Sequence, residues 1–163
     1  MIDKREYKAI DRIINLKSVG GPRISPDGTL VAYTVGETDW DQDRFFSQIW
    51  MAEVDSHRRF QVTQGDRASY GARWSPDGKW LAFLSGRKGS AGNSEGDKKK
   101  KVAETQVWMI SPSGGEAFRV TASESNVNGF QWSPDSRQIA FSALAVESEE
   151  MKKRKADYGD FGT

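Results

Sequence analysis

The sequence predicts an all-β protein that forms part of a β-propeller: two complete four-stranded blades and the first hairpin of a third, preceded by a short N-terminal helix. Two linked series of repeats support this fold class. A hairpin motif occurs at Ile24–Tyr33, Trp74–Phe83 and Trp132–Phe141, and an aromatic strand occurs in phase with it at Gln48–Met51 and Gln106–Met109. The prolines of the hairpins lie 50 and 58 residues apart. Four antiparallel strands per repeat describe blades stacked around an axis.

The first predicted element is a helix over Asp3–Leu16, in an N-terminal segment of residues 1–18. Apolar residues recur there at helical spacing, and Asp3 with Glu6 three positions later resembles a capping box. The side chains on the apolar face are Tyr7, Ile10, Ile13 and Ile14. This face needs a partner, and we expect it to dock on a part of the protein outside these blades.

Each repeat opens with a hairpin turn of sequence Ser-Pro-Asp-Gly or Ser-Pro-Asp-Ser. Proline fixes φ at the second turn position, aspartate suits the third, and glycine accepts the left-handed conformation that follows. We therefore expect positive φ at Gly28 and Gly78, and we expect Ser136 to depart from the pattern. The residues predicted to shape the turns are Pro26, Asp27, Gly28, Pro76, Asp77, Gly78, Pro134 and Asp135. The preceding serines are expected to accept backbone hydrogen bonds.

Strands follow the turns, because apolar and small residues alternate with period two. The repeats predict blade 1 over residues 19–64, blade 2 over 65–122 with a flexible insertion at 86–101, and an incomplete blade 3 over 123–163. The charged segment 147–155 is either a polar helix or a charged loop. The tryptophans expected to pack in the core are Trp50, Trp74, Trp80, Trp108 and Trp132.

Composition narrows the partners. The 163 residues carry a net charge of +1, which gives no reason to expect nucleic acid or an anionic membrane as a partner. Without cysteine the chain has neither disulfides nor thiolate chemistry. No stretch approaches the roughly 20 apolar residues of a membrane span. The charged start at Met1–Lys8 does not resemble a secretory signal, so a cytoplasmic location is expected.

Three patterns imitate chemical sites. Gly92–Gly96 matches the nucleophile-elbow motif, but it lacks the flanking strand and helix, and His57 precedes it in an order that α/β-hydrolases do not use. We expect His57 to lie in an exposed turn. Asp39, Asp41 and Asp43 imitate the opening of a calcium loop, but the glycine and glutamate that such a loop requires are missing. The sequence therefore predicts no catalytic residue, metal or cofactor in this chain.

The repeats resemble a known family. The Ser-Pro-Asp-Gly hairpins, the strands with Trp50 and Trp108, and the segment Gly21–Gly28 are similar to the prolyl oligopeptidase family, in its acylaminoacyl-peptidase and bacterial dipeptidyl-peptidase-like branch. The resemblance runs from Ile10 to Phe161. It implies a serine exopeptidase of short peptides in which the propeller gates access and helps to bind substrate. In such enzymes an α/β-hydrolase domain follows the propeller, and no residue here matches its catalytic motifs.

The blade motifs are also similar to the propeller protein of the Tol system. That resemblance implies an alternative function, a non-enzymatic platform for protein interactions. In either case the expected partners of these blades are the remaining blades, and for the peptidase also its hydrolase domain. We expect residues 1–163 alone to self-associate, because unit three would expose apolar side chains. These side chains are Phe130, Trp132, Ile139 and Phe141.

Overall fold

A computed structural model describes residues 16–39, 43–87 and 104–145, together with Lys153. Ten strands form three antiparallel sheets in this part of the chain. The strands are β1 (Ser18–Ile24), β2 (Leu30–Asp39), β3 (Arg44–Glu53), β4 (Arg59–Gln61), β5 (Ser69–Trp74), β6 (Leu81–Ser85), β7 (Gln106–Ile110), β8 (Phe118–Arg119), β9 (Val127–Trp132) and β10 (Ile139–Ala143). Apart from Leu16, Gly86, Arg87 and Lys153, the predicted N-terminal helix, insertion and charged segment lie outside the described residues.

Each complete blade is a meander. Blade 1 has the order β1-β2-β3-β4 and blade 2 the order β5-β6-β7-β8, while unit three consists of β9 and β10. The predicted partial propeller of four-stranded blades is therefore confirmed. The second hairpin of blade 1 is unexpectedly long, because β2 and β3 pair over ten residues whereas β6 and β7 pair over five.

The first strand of each complete blade contains a bulge. The register shifts between Gly20 and Arg23 in blade 1, and between Tyr70 and Arg73 in blade 2. A glycine with positive φ lies inside each shift: Gly21 at +60° and Gly71 at +67°. Glycine is favoured at such a position because a side chain is strained in the left-handed region.

Two apolar clusters hold the sheets together. The cluster between blades 1 and 2 contains Ala32, Ile49, Met51, Ala72, Leu81, Phe83, Trp108 and Ile110. The cluster between blade 2 and unit three contains Ala82, Leu84, Val107 and Val127. Adjacent residues of β6 thus enter opposite clusters, as the two faces of a strand require. Fully burying a large apolar side chain contributes roughly 1.5–3 kcal/mol, so blade 2, buried on both faces, is the centre of the structure.

A buried polar clasp joins the third strand of each blade to the segment after the fourth. In blade 1, the Thr63 hydroxyl accepts a hydrogen bond from the Ile49 amide at 2.9 Å and donates to Gln48 Oε1 at 2.6 Å. In blade 2, Thr121 makes the same two bonds, with the Val107 amide and Gln106 Oε1. The clasp satisfies polar groups that would otherwise be costly to bury.

Unit three differs from expectation. Phe130, Trp132 and Ile139 are not bare but pack against the second cluster, because the strand alternation turns them toward blade 2. Phe141 remains 47% exposed, as predicted. The expected apolar surface is found instead on blade 1, where Val19 is 69% and Ile24 67% exposed.

Candidate functional site

The three Ser-Pro-Asp turns share one hydrogen-bond network. In the first, the Ser25 hydroxyl donates to Asp27 Oδ1 at 2.6 Å and accepts from the Leu30 amide at 2.9 Å. The Thr29 amide also donates to Asp27 Oδ1, at 3.1 Å. The same bonds recur around Ser75 with Asp77 and around Ser133 with Asp135. The serines therefore accept backbone bonds as expected, and the aspartate fixes each hydroxyl.

These networks act on the carboxylates. Hydrogen bonds, first from the serine hydroxyl and then from the backbone amide two residues on, hold the pKa of Asp27, Asp77 and Asp135 below its ordinary value. Hydrogen bonds to the charged form favour ionisation. The side chains are thus stable acceptors in the turns, and a carboxylate already bound to a serine is a poor proton donor for catalysis.

The conformation of the turns is confirmed at two positions and corrected at the third. Gly28 has φ of +77° and Gly78 of +72°. Ser136 does not depart from the pattern, because its φ is +61°. The turn bonds are made there as well, with the Ser136 amide donating to the Ser133 carbonyl at 3.0 Å. The hydrogen-bond network thus imposes the left-handed conformation on a residue that does not favour it.

Adjacent blades are joined by tryptophan side chains at the ends of their first strands. Trp74 Nε1 donates to the Arg23 carbonyl at 2.9 Å, and Trp132 Nε1 donates to the Arg73 carbonyl at 3.2 Å. The two bonds are equivalent in the repeat. The turns add a contact, since the Ser136 hydroxyl accepts from the Asp77 amide at 2.9 Å. Sequence reasoning assigned these tryptophans to core packing alone, although their in-phase positions could have suggested a shared bond.

The other tryptophans divide between the core and the surface. Trp108 is buried, as expected, and its Nε1 donates to the Ser85 carbonyl at 3.2 Å. Trp80 is half-buried and meets the Phe118 ring edge-on, with centroids 5.5 Å apart. Trp50 lies on the open face of blade 1 rather than in a core cluster.

The open face of blade 1 carries an apolar groove of about 760 Å³ with basic ends. Its lining includes Val19, Pro22, Val31, Tyr33 and Trp50, with Lys17 and Arg59. In the repeat, its apolar residues correspond to those that blade 2 buries against blade 1. The groove therefore has the character of an inter-blade surface.

A half-buried guanidinium lies at the end of β6. Arg87 is 5.2 Å from the centroid of the Phe83 ring and 5.6 Å from that of Trp108, and its Nη2 donates to the Ser69 hydroxyl at 3.2 Å. Burial lowers the pKa of Arg87. Among the described residues, its buried Nε finds no hydrogen-bond acceptor. The ring contacts stabilise the cation between the strands.

The patterns that imitate chemistry are not assembled into a site. His57 lies in an exposed turn, as expected, with φ of +59°. Asp39 Oδ2 pairs with Arg44 Nε at 3.4 Å, while Asp41 and the segment 92–96 lie outside the described residues. Over residues 16–39, 43–87 and 104–145, no group of three acidic or histidine side chains is arranged to hold a metal. The same residues contain no helix that could cross a membrane.

Comparison with known sequences identifies relatives. The chain is 33% identical over 145 residues to an uncharacterized peptidase of Bacillus subtilis, YuxL, covering 89% of this chain and 20% of the relative. It is 26% identical over 147 residues to dipeptidyl-peptidase 5 of Porphyromonas endodontalis, covering 90% of this chain and 19% of the relative. The chain thus spans about a fifth of the length of these curated relatives. No protein-family model matches it.

Solved structures share the fold. The acylaminoacyl peptidase of Pyrococcus horikoshii superposes with a TM-score of 0.62 at 19% identity, over 85% of this chain and 19% of that one. A TolB-like protein of Agrobacterium tumefaciens superposes with a TM-score of 0.54 at 23% identity, over 82% of this chain and 40% of that one. At these identities the likeness concerns the fold.

The repeated blades, their shared turns and these matches define the chain as a peptidase-associated β-propeller segment. Its sequence relatives are peptidases, and the resemblance to the propeller portion of prolyl oligopeptidase family enzymes is confirmed.

Proposed function

We propose that this chain is the propeller part of a serine exopeptidase that acts on short peptides, with its catalytic residues in a hydrolase domain outside residues 1–163. The propeller would restrict entry to short peptides and contribute to binding them. Acylaminoacyl- and dipeptidyl-peptidase activity are the two forms of this proposal.

The observation that carries the proposal is the 33% identity to a peptidase over 145 residues. The described residues agree with a supporting role. The turn serines and aspartates are engaged with one another, and the one histidine, His57, lies in an exposed turn. A nucleophile needs a base within hydrogen-bond reach.

The test compares residues 1–163 with the polypeptide encoded by the extended reading frame. Both are assayed with acetyl-amino-acid and dipeptidyl p-nitroanilides and with a fluorophosphonate that labels active serines. We expect hydrolysis and labelling only in the extended polypeptide. Hydrolysis by residues 1–163 that is lost in Ser94→Ala would refute the proposal, and so would an extended polypeptide that neither cleaves nor is labelled.

Gating has a separate readout. The extended enzyme should cleave a dipeptidyl substrate with a much higher kcat/KM than a folded protein with the same N-terminal residues. Equal values for both substrates would leave the propeller without a gating role.

The TolB-like superposition favours a second candidate, a propeller that serves as a platform for protein interactions. This function requires further blades but no active serine. A fluorophosphonate-inactive extended polypeptide that closes into a propeller would support it.

A further inference from the structure

The second and third strands of each complete blade place two aromatic residues opposite each other. Tyr33 pairs with Trp50 in blade 1, and Phe83 pairs with Trp108 in blade 2. The corresponding residue of unit three is Phe141, since each of these residues follows an alanine at the same place in the repeat. Within the described residues β10 pairs only with β9, so the other side of Phe141 faces no strand.

Trp108 shows what the missing partner does. Its ring is buried in the cluster between blades 1 and 2, and Phe60 and Val62 at the outer part of blade 1 pack against that cluster. The residue of blade 2 that corresponds to Val62 is Val120, which is 39% exposed. Blade 2 thus lacks, among the described residues, the cover that it provides for blade 1.

An open groove of about 260 Å³ marks the place. We call it the unit-three groove, and its lining includes Trp80, Met109 and Val120 of blade 2 and Ile139 and Phe141 of β10. Met109 and Ile139 also pack against the second apolar cluster, so the groove continues an existing interface.

We propose that the free edge of β10 and the unit-three groove bind an antiparallel strand that places a tryptophan opposite Phe141. The strand would have the pattern shared by β3 and β7, glutamine and a β-branched residue before the tryptophan and methionine after it. Its source is the rest of the same polypeptide, because the chain spans only about a fifth of its relatives' length. Main-chain bonds supply affinity in such strand addition, and the side-chain pocket supplies specificity. The site does not depend on peptidase activity.

The test uses residues 1–163 and a labelled peptide with the sequence of residues 104–111. The control peptide has the same composition, but the valine and tryptophan equivalent to Val107 and Trp108 are exchanged, which turns the indole to the opposite face. We expect the first peptide to bind at least about tenfold more tightly, and to slow hydrogen exchange of the β10 amides.

Two variants locate the site. Val120→Ser alters the floor of the groove and should reduce the preference for the first peptide, while Val54→Ser, at a similarly exposed valine in blade 1, should not. Equal affinity of both peptides, or protection of another edge such as β1, would overturn the proposal. Protection of β10 that rises with protein concentration without peptide would identify a second copy as the occupant and would also overturn it.

Discussion

At the scale of single residues, the turns show how local chemistry fixes a backbone conformation. The left-handed residue after Asp27, Asp77 or Asp135 is glycine in two turns and serine in the third. The sequence predicts the two glycines correctly, because proline and aspartate leave few alternatives. It fails at Ser136, because residue preference is weaker than the hydrogen bonds of the turn and the contact with Asp77.

Gly28→Ala should destabilise the protein by about 1 kcal/mol. The cost comes from the left-handed backbone, since an added Cβ meets no heavy atom within 4 Å. Gly20→Ala is the control, because that glycine has equal space and no positive φ. Chemical denaturation measures both, and equal losses would contradict the argument.

Acid should weaken the protein through the turn carboxylates. Their pKa values are lower in the folded protein, so their stabilisation is complete above the unfolded value of about 3.9 and is lost as pH falls through the folded values. The free energy of unfolding should therefore fall less steeply with acidity in Asp77→Asn than in the unaltered protein. Asp55→Asn, in the β3–β4 turn, is the control, and an equal change in both would count against this cause.

At the scale of strands and blades, alternation determines which neighbour each residue meets. Leu81 and Phe83 enter the cluster with blade 1, whereas Ala82 and Leu84 enter the cluster with unit three. This arrangement follows from the repeat and the period of a strand, so it was predictable. The bonds from Trp74 and Trp132 to carbonyls of the preceding sheet were not, since nothing in one blade indicates where its neighbour's carbonyl lies.

The clasps mark a further limit of sequence reasoning. Gln48 and Thr63, like Gln106 and Thr121, recur in phase but are 15 residues apart. Their recurrence signals importance, yet their contact depends on how the fourth strand returns. A repeat indicates that residues matter before it indicates what they contact.

Trp74→Phe should destabilise the protein by about 0.5–1.5 kcal/mol, because it removes one hydrogen bond while keeping an aromatic ring. Trp50→Phe is the control, since Trp50 lies on the open groove of blade 1. Urea unfolding of the two variants gives the difference. A loss in Trp50→Phe as large as that in Trp74→Phe would show that ring size, rather than the bond, is responsible.

At the scale of the whole molecule, the two ends of the array are unequal. Unit three turns its larger apolar residues toward blade 2, whereas blade 1 presents Val19, Tyr33 and Trp50 on an open face. Exposed apolar patches of this kind usually belong to an interface. The sequence predicted exposed surface at the ends of the array but assigned it to the wrong end.

Residues 1–163 should self-associate through the open face of blade 1. Sedimentation should show a mass that increases with protein concentration, and Val19→Glu with Tyr33→Lys should lower it by placing charges in the groove. Phe45→Ser, at an 86% exposed residue outside that groove, is the control. A mass that is independent of concentration, or equally lowered by the control, would contradict the prediction.

The tryptophan bonds between sheets also impose an order on biosynthesis. Trp74 and Trp132 each reach back to a carbonyl on a strand that leaves the ribosome earlier. At the corresponding position of blade 1 stands Ile24, whose side chain cannot donate such a bond. The first blade can therefore be completed without waiting for an acceptor, and each later unit finds one already in place. Growth of the propeller is thus vectorial, from the amino end toward the carboxyl end.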